Sequence, residues 1–70
     1  MGNAEFELIS RKAVAGWYSQ NREEITADNV YVVWVCKALQ NNKALLATTK
    51  PDGMYFEATY NGDKSEMYLD

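Results

Sequence analysis

The chain has 70 residues, 47% hydrophobic and 13% aromatic, with ten acids against seven bases, no histidine and one cysteine. That is apolar material for one small core, so a single domain over 1–70 is expected, near the size at which a sheet needs a helix or a partner to cover it. The scattered net charge of −3 excludes both a cationic stripe for phosphates and the dense acidic field of a DNA mimic, while the cysteine and histidine counts exclude an intrachain disulfide, the usual zinc sets and a Cys–His nucleophile.

The first element is an amphipathic helix over Ala4 to Gln20. Phe6, Ile9, Ala13 and Trp17 recur at helical spacing, Val14 joins them at the edge of the stripe, and Glu7, Arg11, Lys12 and Ser19 fall elsewhere around the axis. Asn3 is the expected N-cap, with Glu5 and Glu7 complementing the positive end of the dipole. Gly16 costs about 1 kcal/mol relative to alanine inside a helix. It either lets the helix approach a sheet closely, together with Ala13, or simply weakens the last turn. Asn21 to Asn29 are polar apart from Ile25 and read as a connecting loop.

The surest strand is Asn29 to Leu39, "NVYVVWVCKAL", rich in β-branched and aromatic residues. Gln40-Asn41-Asn42 supply turn chemistry before a second strand, Lys43 to Thr49. Lys50-Pro51-Asp52-Gly53 forms the next turn, with proline fixing φ and glycine permitting a positive one. The third strand is Met54 to Tyr60, closed by Asn61-Gly62, a strong hairpin signal. Beyond Asp63 two readings compete. Lys64 to Leu69 returns as a fourth strand, placing Phe56 opposite Met67, Tyr55 opposite Tyr68 and Glu57 opposite Glu66, or Ser65 caps a helical turn. The Glu–Glu pairing is unfavourable and tilts the choice toward the helical turn. The expected class is α+β: an N-terminal amphipathic helix packed on a three-stranded antiparallel meander, with a short C-terminal helical turn or fourth strand.

Strict alternation assigns the faces. Met54, Phe56, Ala58 and Tyr60 face the helix, as do Val30, Val32, Trp34 and Cys36, because the opposite set of the first strand contains Lys37. Leu45 with Ala47 and Ala44 with Leu46 give no decision. Trp17 and Trp34 are core anchors, and Trp34→Ala is expected to be severe. The opposite face then presents Tyr31, Val33, Val35, Tyr55, Glu57 and Thr59, an apolar patch to be covered or used for binding.

No constellation carries chemistry. Cys36 has no base to generate a thiolate and reads as a core cysteine. Asp52, Asp63, Glu57, Glu66 and Asp70 lack calcium-loop spacing, and the two aspartates belong to turns. Gly53 and Gly62 are turn glycines, not a phosphate loop. Tyr31, Tyr55 and Tyr68 suit either sheet packing or stacking on a partner, and Lys37, Lys43, Lys50 and Lys64 read as solvated turn and edge lysines. No stretch approaches the roughly 20 apolar residues of a membrane span, and the opening residues are too polar for a signal peptide. They also place Phe6 where myristoylation needs Ser or Thr. Cytoplasmic residence is the expectation, with no enzyme activity, no catalytic residue, no cofactor, no metal and no membrane partner.

The run from Asn29 to Asp70 resembles a family of small uncharacterised proteins encoded by phages and prophages of Gram-positive bacteria, of the streptococcal and lactococcal type. The most specific parts are "VYVVWV", "LQNNKALLATT", "PDGMYFEATYNGDK" and "MYLD". The resemblance implies phage biology in a bacterial cytoplasm and assigns no activity. It also implies that members often continue past the "YLD" segment into another helix, without which part of the sheet would stand uncovered. Two functions follow as expectations. One is a noncatalytic module that binds a host or phage protein, or itself, through Tyr31, Val33, Val35, Tyr55, Glu57 and Thr59. The alternative is nucleic-acid binding, since a helix and three strands with an added helix match the topology of double-stranded-RNA-binding domains.

Overall fold

A computed structural model describes all 70 residues. The helix α1 runs Asn3–Asn21. Gly2 occupies the N-cap without a side-chain bond, so Asn3 is the first helical residue and not the cap. Its Oδ1 instead accepts from Asn42 Nδ2 at 3.4 Å, and the same nitrogen donates to the Met1 carbonyl at 3.2 Å, tying the helix start to the sheet. The buried stripe is Phe6, Ser10, Val14 and Tyr18, with Ala15 beside it. The expected stripe is thus rotated by one residue: Ile9 and Ala13 are half-buried and Trp17 is exposed. The reason is chemical. Ser10 is small enough to lie against the sheet, and the Tyr18 hydroxyl, though polar, has an acceptor in Asp52. Gly16 faces open space, which removes the close-approach reading.

The polar loop after the helix is pinned at several points. Ile25 is buried, and the Ser19 hydroxyl both donates to its carbonyl and accepts from its N–H, each at 3.1 Å. A 3₁₀ turn over Ala27–Asn29 follows, capped reciprocally by Thr26 and Asn29. Arg11 reaches across to the Ala27 carbonyl at 3.2 Å and to Asp28 at 3.6 Å.

The sheet has four antiparallel strands in the order β1-β2-β3-β4: Val30–Ala38, Asn41–Thr48, Tyr55–Asn61 and Glu66–Leu69. Helix α1 lies over β1 and β2, with only its edge reaching β3. The core joins Phe6, Val14, Tyr18, Ile25, Val30, Ala44, Leu46, Phe56 and Ala58. Full burial of a side chain such as Phe6 or Leu46 contributes roughly 1.5–3 kcal/mol. Trp17 packs its ring edge-to-face on Phe56, with centroids 5.3 Å apart.

One irregularity overturns the expected faces of β1. The ladder to β2 runs Val30↔Thr48, Tyr31↔Ala47, Val32↔Leu46, then skips Val33 and resumes Trp34↔Leu45, Val35↔Ala44. This is a β-bulge: two residues of one strand oppose a single step of the other, and alternation beyond it changes phase. Trp34 and Cys36 therefore point away from the helix and are exposed, while Val35 packs against the core. In β2, Ala44 and Leu46 face in and Leu45 shares the other face with Lys43, while β3 buries Phe56 and Ala58 as alternation predicts.

The turns differ from expectation in place rather than in kind. Leu39 and Gln40 make the first one, so Asn41 and Asn42 already belong to β2. Leu39 adopts φ +57°, an uncommon conformation for a non-glycine residue. Gly53 takes φ +72°, as its turn requires. The last turn spans Gly62 to Ser65, with Asn61 Oδ1 accepting from the Asp63 N–H at 3.1 Å. A Cβ on Gly62 would stand 2.1 Å from the Gln40 carbonyl oxygen, so here glycine serves close backbone approach. The C-terminal segment is strand and not helical turn. Its register is Asn61↔Glu66, Tyr60↔Met67, Thr59↔Tyr68 and Ala58↔Leu69. The longer turn moves Glu66 away from Glu57, which removes the repulsion that had favoured a helix.

Candidate functional site

With one helix on one side of the sheet, the other side is open. Reading the registers across that outer face gives successive rows. Tyr31, Ala47 and Tyr55 form the first, and Trp34, Leu45 and Glu57 the second. Cys36, Lys43, Thr59 and Tyr68 form the third, ahead of a last row containing Asn41, Asn61 and Glu66. The rows nearest Tyr31 are aromatic and aliphatic, and the opposite end is polar.

Exposure marks the apolar end as a surface. Tyr31 is 51% exposed, Tyr55 63% and Trp34 42%, whereas Ala47 between the two tyrosines is buried although it lies outside the helix-side core. The alanine sits between the two tyrosines in the ladder, and both tyrosines present much of their surface to solvent. Val33, at the bulge, is also exposed. At the centre, Lys43 Nζ meets Glu57 Oε1 at 2.9 Å, both side chains partly exposed, so the middle of the face carries one neutral ion pair. At the polar end the Tyr68 hydroxyl donates to Glu66, and this bond, followed by burial, raises the Tyr68 pKa above its ordinary value. A shallow concavity of about 320 Å³ lies there, lined in part by Cys36, Lys43, Thr59 and Tyr68.

Of the six residues expected to form the surface, five stand on it: Tyr31, Val33, Tyr55, Glu57 and Thr59. The sixth, Val35, belongs to the helix side, because the bulge inverts the strand before it. Trp34, Cys36, Leu45, Lys43 and Tyr68 take the remaining places. The bulge hid the first two. Lys43, two residues from Leu45, points to the same face, but a lysine does not decide a face by itself: the register puts Lys37 in phase with Val35, on the helix side.

A second tyrosine–carboxylate contact fastens the sheet to the helix. The Tyr18 hydroxyl donates to one carboxylate oxygen of Asp52, and the other accepts from the Met54 N–H at 3.0 Å. These bonds hold the Asp52 pKa below its ordinary value, Tyr18 first and Met54 second. The same bond, then burial, pushes Tyr18 up. This contact lies on the helix side and is structural.

Fold and face define a small α+β domain: one helix on a one-sided, four-stranded antiparallel sheet whose open side is aromatic at one end and polar at the other. Residues 7–70 match the model of the Family of unknown function (DUF6275), and the chain belongs to that family. No curated protein and no solved structure matches it.

Proposed function

We propose that this protein is a noncatalytic binding module that engages a protein partner through the open face of its sheet. The observation that carries the reading is the cluster of Tyr31, Val33, Trp34 and Tyr55, all exposed and contiguous on a face that no element of the chain covers. Tyrosine and tryptophan give large, rigid contact area with a polar tip, the side chains that dominate protein interfaces. The resemblance of Asn29 to Asp70 to phage and prophage proteins of Gram-positive bacteria supports a partner of host or phage origin in the bacterial cytoplasm.

The test is co-purification from expressing cells with Tyr31→Ala, Tyr55→Ala and the double variant. Each substituted ring is more than half exposed, so the variants are expected to fold and to lose the partner. Retention of every partner by the double variant would sink the reading.

Exposed rings on a sheet also suit base stacking, which favours single-stranded nucleic acid as a second reading. Topology no longer contributes to it, because β4 adds a fourth strand to the sheet. Charge opposes it: Lys43 is paired with Glu57 and no other cation joins the described rows. A titration with single-stranded and duplex RNA and DNA at low salt decides, since phosphate contacts are strongest there.

A further inference from the structure

We propose that Asn61 is a site of spontaneous covalent modification, at which the Gly62 backbone nitrogen closes on the Asn61 carboxamide and converts it to aspartate or isoaspartate, and that the Asn41 side chain holds this reaction in check.

The chemistry begins with sequence. Asparagine is thermolabile because the backbone nitrogen that follows it attacks its side-chain carbonyl carbon. A side chain on the following residue hinders that approach, and glycine has none. Asn61 alone precedes a glycine, whereas the other asparagines precede Ala4, Arg22, Val30, Asn42 and Lys43. In the reaction, water or hydroxide takes the Gly62 N–H proton, the nitrogen bonds to Asn61 Cγ, and ammonia leaves to give a cyclic imide. Water then opens the imide at either carbonyl. One product is aspartate with the main chain intact. The other is isoaspartate, whose main chain runs through the former side chain.

The fold treats the two reacting groups differently. Asn61 Oδ1 accepts from the N–H groups of Asp63 at 3.1 Å and Lys64 at 3.4 Å. Donors aimed at a carbonyl oxygen stabilise the negative charge that attack places on it, so the carboxamide is primed. The nucleophile is tethered instead. The Gly62 N–H donates to Asn41 Oδ1 at 3.1 Å, and Gly62 lies tight against the Gln40 backbone. Asn61 is itself fixed as the last residue of β3, paired with Glu66. The Gly62 nitrogen must leave Asn41 before it can lose its proton and close on Cγ. Asn61 and Gly62 are only half-buried and Asp63 beside them is exposed, so water reaches the turn once it opens.

The products act on β4. Aspartate at this position sets a carboxylate opposite Glu66, and like charges directly opposite weaken a strand pair. Isoaspartate also lengthens the main chain between β3 and β4. Conversion therefore loosens β4, and with it Tyr68 at the polar end of the open face.

The experiment incubates the intact chain in mildly alkaline buffer, folded and in concentrated urea, and follows Asn61 by peptide mass spectrometry with isoaspartate counted separately. In urea Asn61 is expected to convert ahead of every other asparagine. In the folded protein it is expected to convert roughly tenfold more slowly or less, a ratio that reports how rarely the turn opens. Asn41 is exposed, so Asn41→Ala is expected to fold and to recover most of that factor, while Asn41→Asp keeps an acceptor for the Gly62 N–H and stays slow. Thr26→Ala removes a cap at the opposite end of β1 and is expected to leave the rate unchanged, which separates the tether from general stability. Hydrogen exchange in the converted protein is expected to quicken in β4 and not in α1. Equal rates in folded and urea-treated chains, or an Asn41→Ala rate no faster than wild type, overturns the proposal. An acceleration by Thr26→Ala as large as that by Asn41→Ala assigns the effect to global unfolding and overturns it as well.

Discussion

Removing Val33 from the middle of the longest strand is expected to leave the protein folded. Deleting one residue from a regular strand turns every later side chain to the opposite face. Here Val33 is the extra residue of a bulge, so its removal joins Val32↔Leu46 directly to Trp34↔Leu45 and keeps Trp34 outside and Val35 inside. The Val33 side chain is 46% exposed, so its loss removes about half of a valine burial, roughly 1 kcal/mol. Closing the ladder returns a net backbone hydrogen bond of about 0.5–1.5 kcal/mol. The two nearly offset, and the variant is expected within about 1 kcal/mol of the parent, with a flatter twist. Were β1 regular and Trp34 in the core, the same deletion would expel a tryptophan at a cost of about 3–5 kcal/mol. That is a large part of the few to ten kcal/mol a chain of this length holds. Urea denaturation followed by far-ultraviolet circular dichroism measures the difference. Destabilisation above about 3 kcal/mol, or failure to fold, would refute the bulge assignment.

Two of the three glycines outside positive φ, Gly16 and Gly62, make opposite predictions. Gly16→Ala adds a methyl in open space on a helix and is expected to stabilise by about 0.5–1 kcal/mol, whereas Gly62→Ala drives a Cβ into the Gln40 backbone and is expected to cost about 1–3 kcal/mol, both read from denaturant midpoints. Leu39 is 94% exposed at φ +57°, so Leu39→Gly is expected to relieve about 1 kcal/mol and raise the melting temperature by about 4–8 °C. Stability should fall at both pH extremes through Tyr18 and Asp52. The Asp52 pKa is lowered from 3.8, so its contribution is present above that value and is lost as pH falls through the lower folded one. The Tyr18 pKa is raised from 10.0, so its contribution is present below that value and is lost as pH rises through the higher folded one. Tyr18→Phe and Asp52→Asn are each expected to weaken both limbs, because each removes the bond that shifts its partner, in unfolding curves collected across pH.

Much of this architecture is written in local chemistry. The helix, the four-residue turn at Lys50 to Gly53 and the alternation of Met54 to Tyr60 follow from side-chain period and turn residues, which act within a few positions. What escaped local reading is what depends on distant partners. Tyr18 belongs to the buried stripe only because Asp52, distant in sequence, accepts a hydrogen bond from its hydroxyl, and Ser10 only because the sheet lies close above it. The β3–β4 turn is longer than Asn61-Gly62 alone suggests because Asn61 spends its side chain on the Asp63 and Lys64 N–H groups, and Gly62 is held against Gln40. The Glu57–Glu66 conflict in the tight register was a real signal. It argued against that register, not against the strand.

The bulge at Val33 is the step from sequence to binding surface, and the packing beneath the helix explains it. Val35, Ala44, Ala58 and Leu69 lie across the sheet in one row on the helix side, and both alanines are completely buried. Small residues there let the helix sit close. An unbulged β1 would set Trp34, not Val35, opposite Ala44, forcing an indole into the tightest part of the layer. Overpacking of that kind costs about 1–3 kcal/mol or more. Skipping one residue gives the row a valine and turns the indole outward, next to Leu45 and on the same face as Tyr31 and Tyr55. The device that fits the core therefore also builds the aromatic end of the open face, and a substitution that removes the bulge's register shift without removing Val33 should disturb both at once.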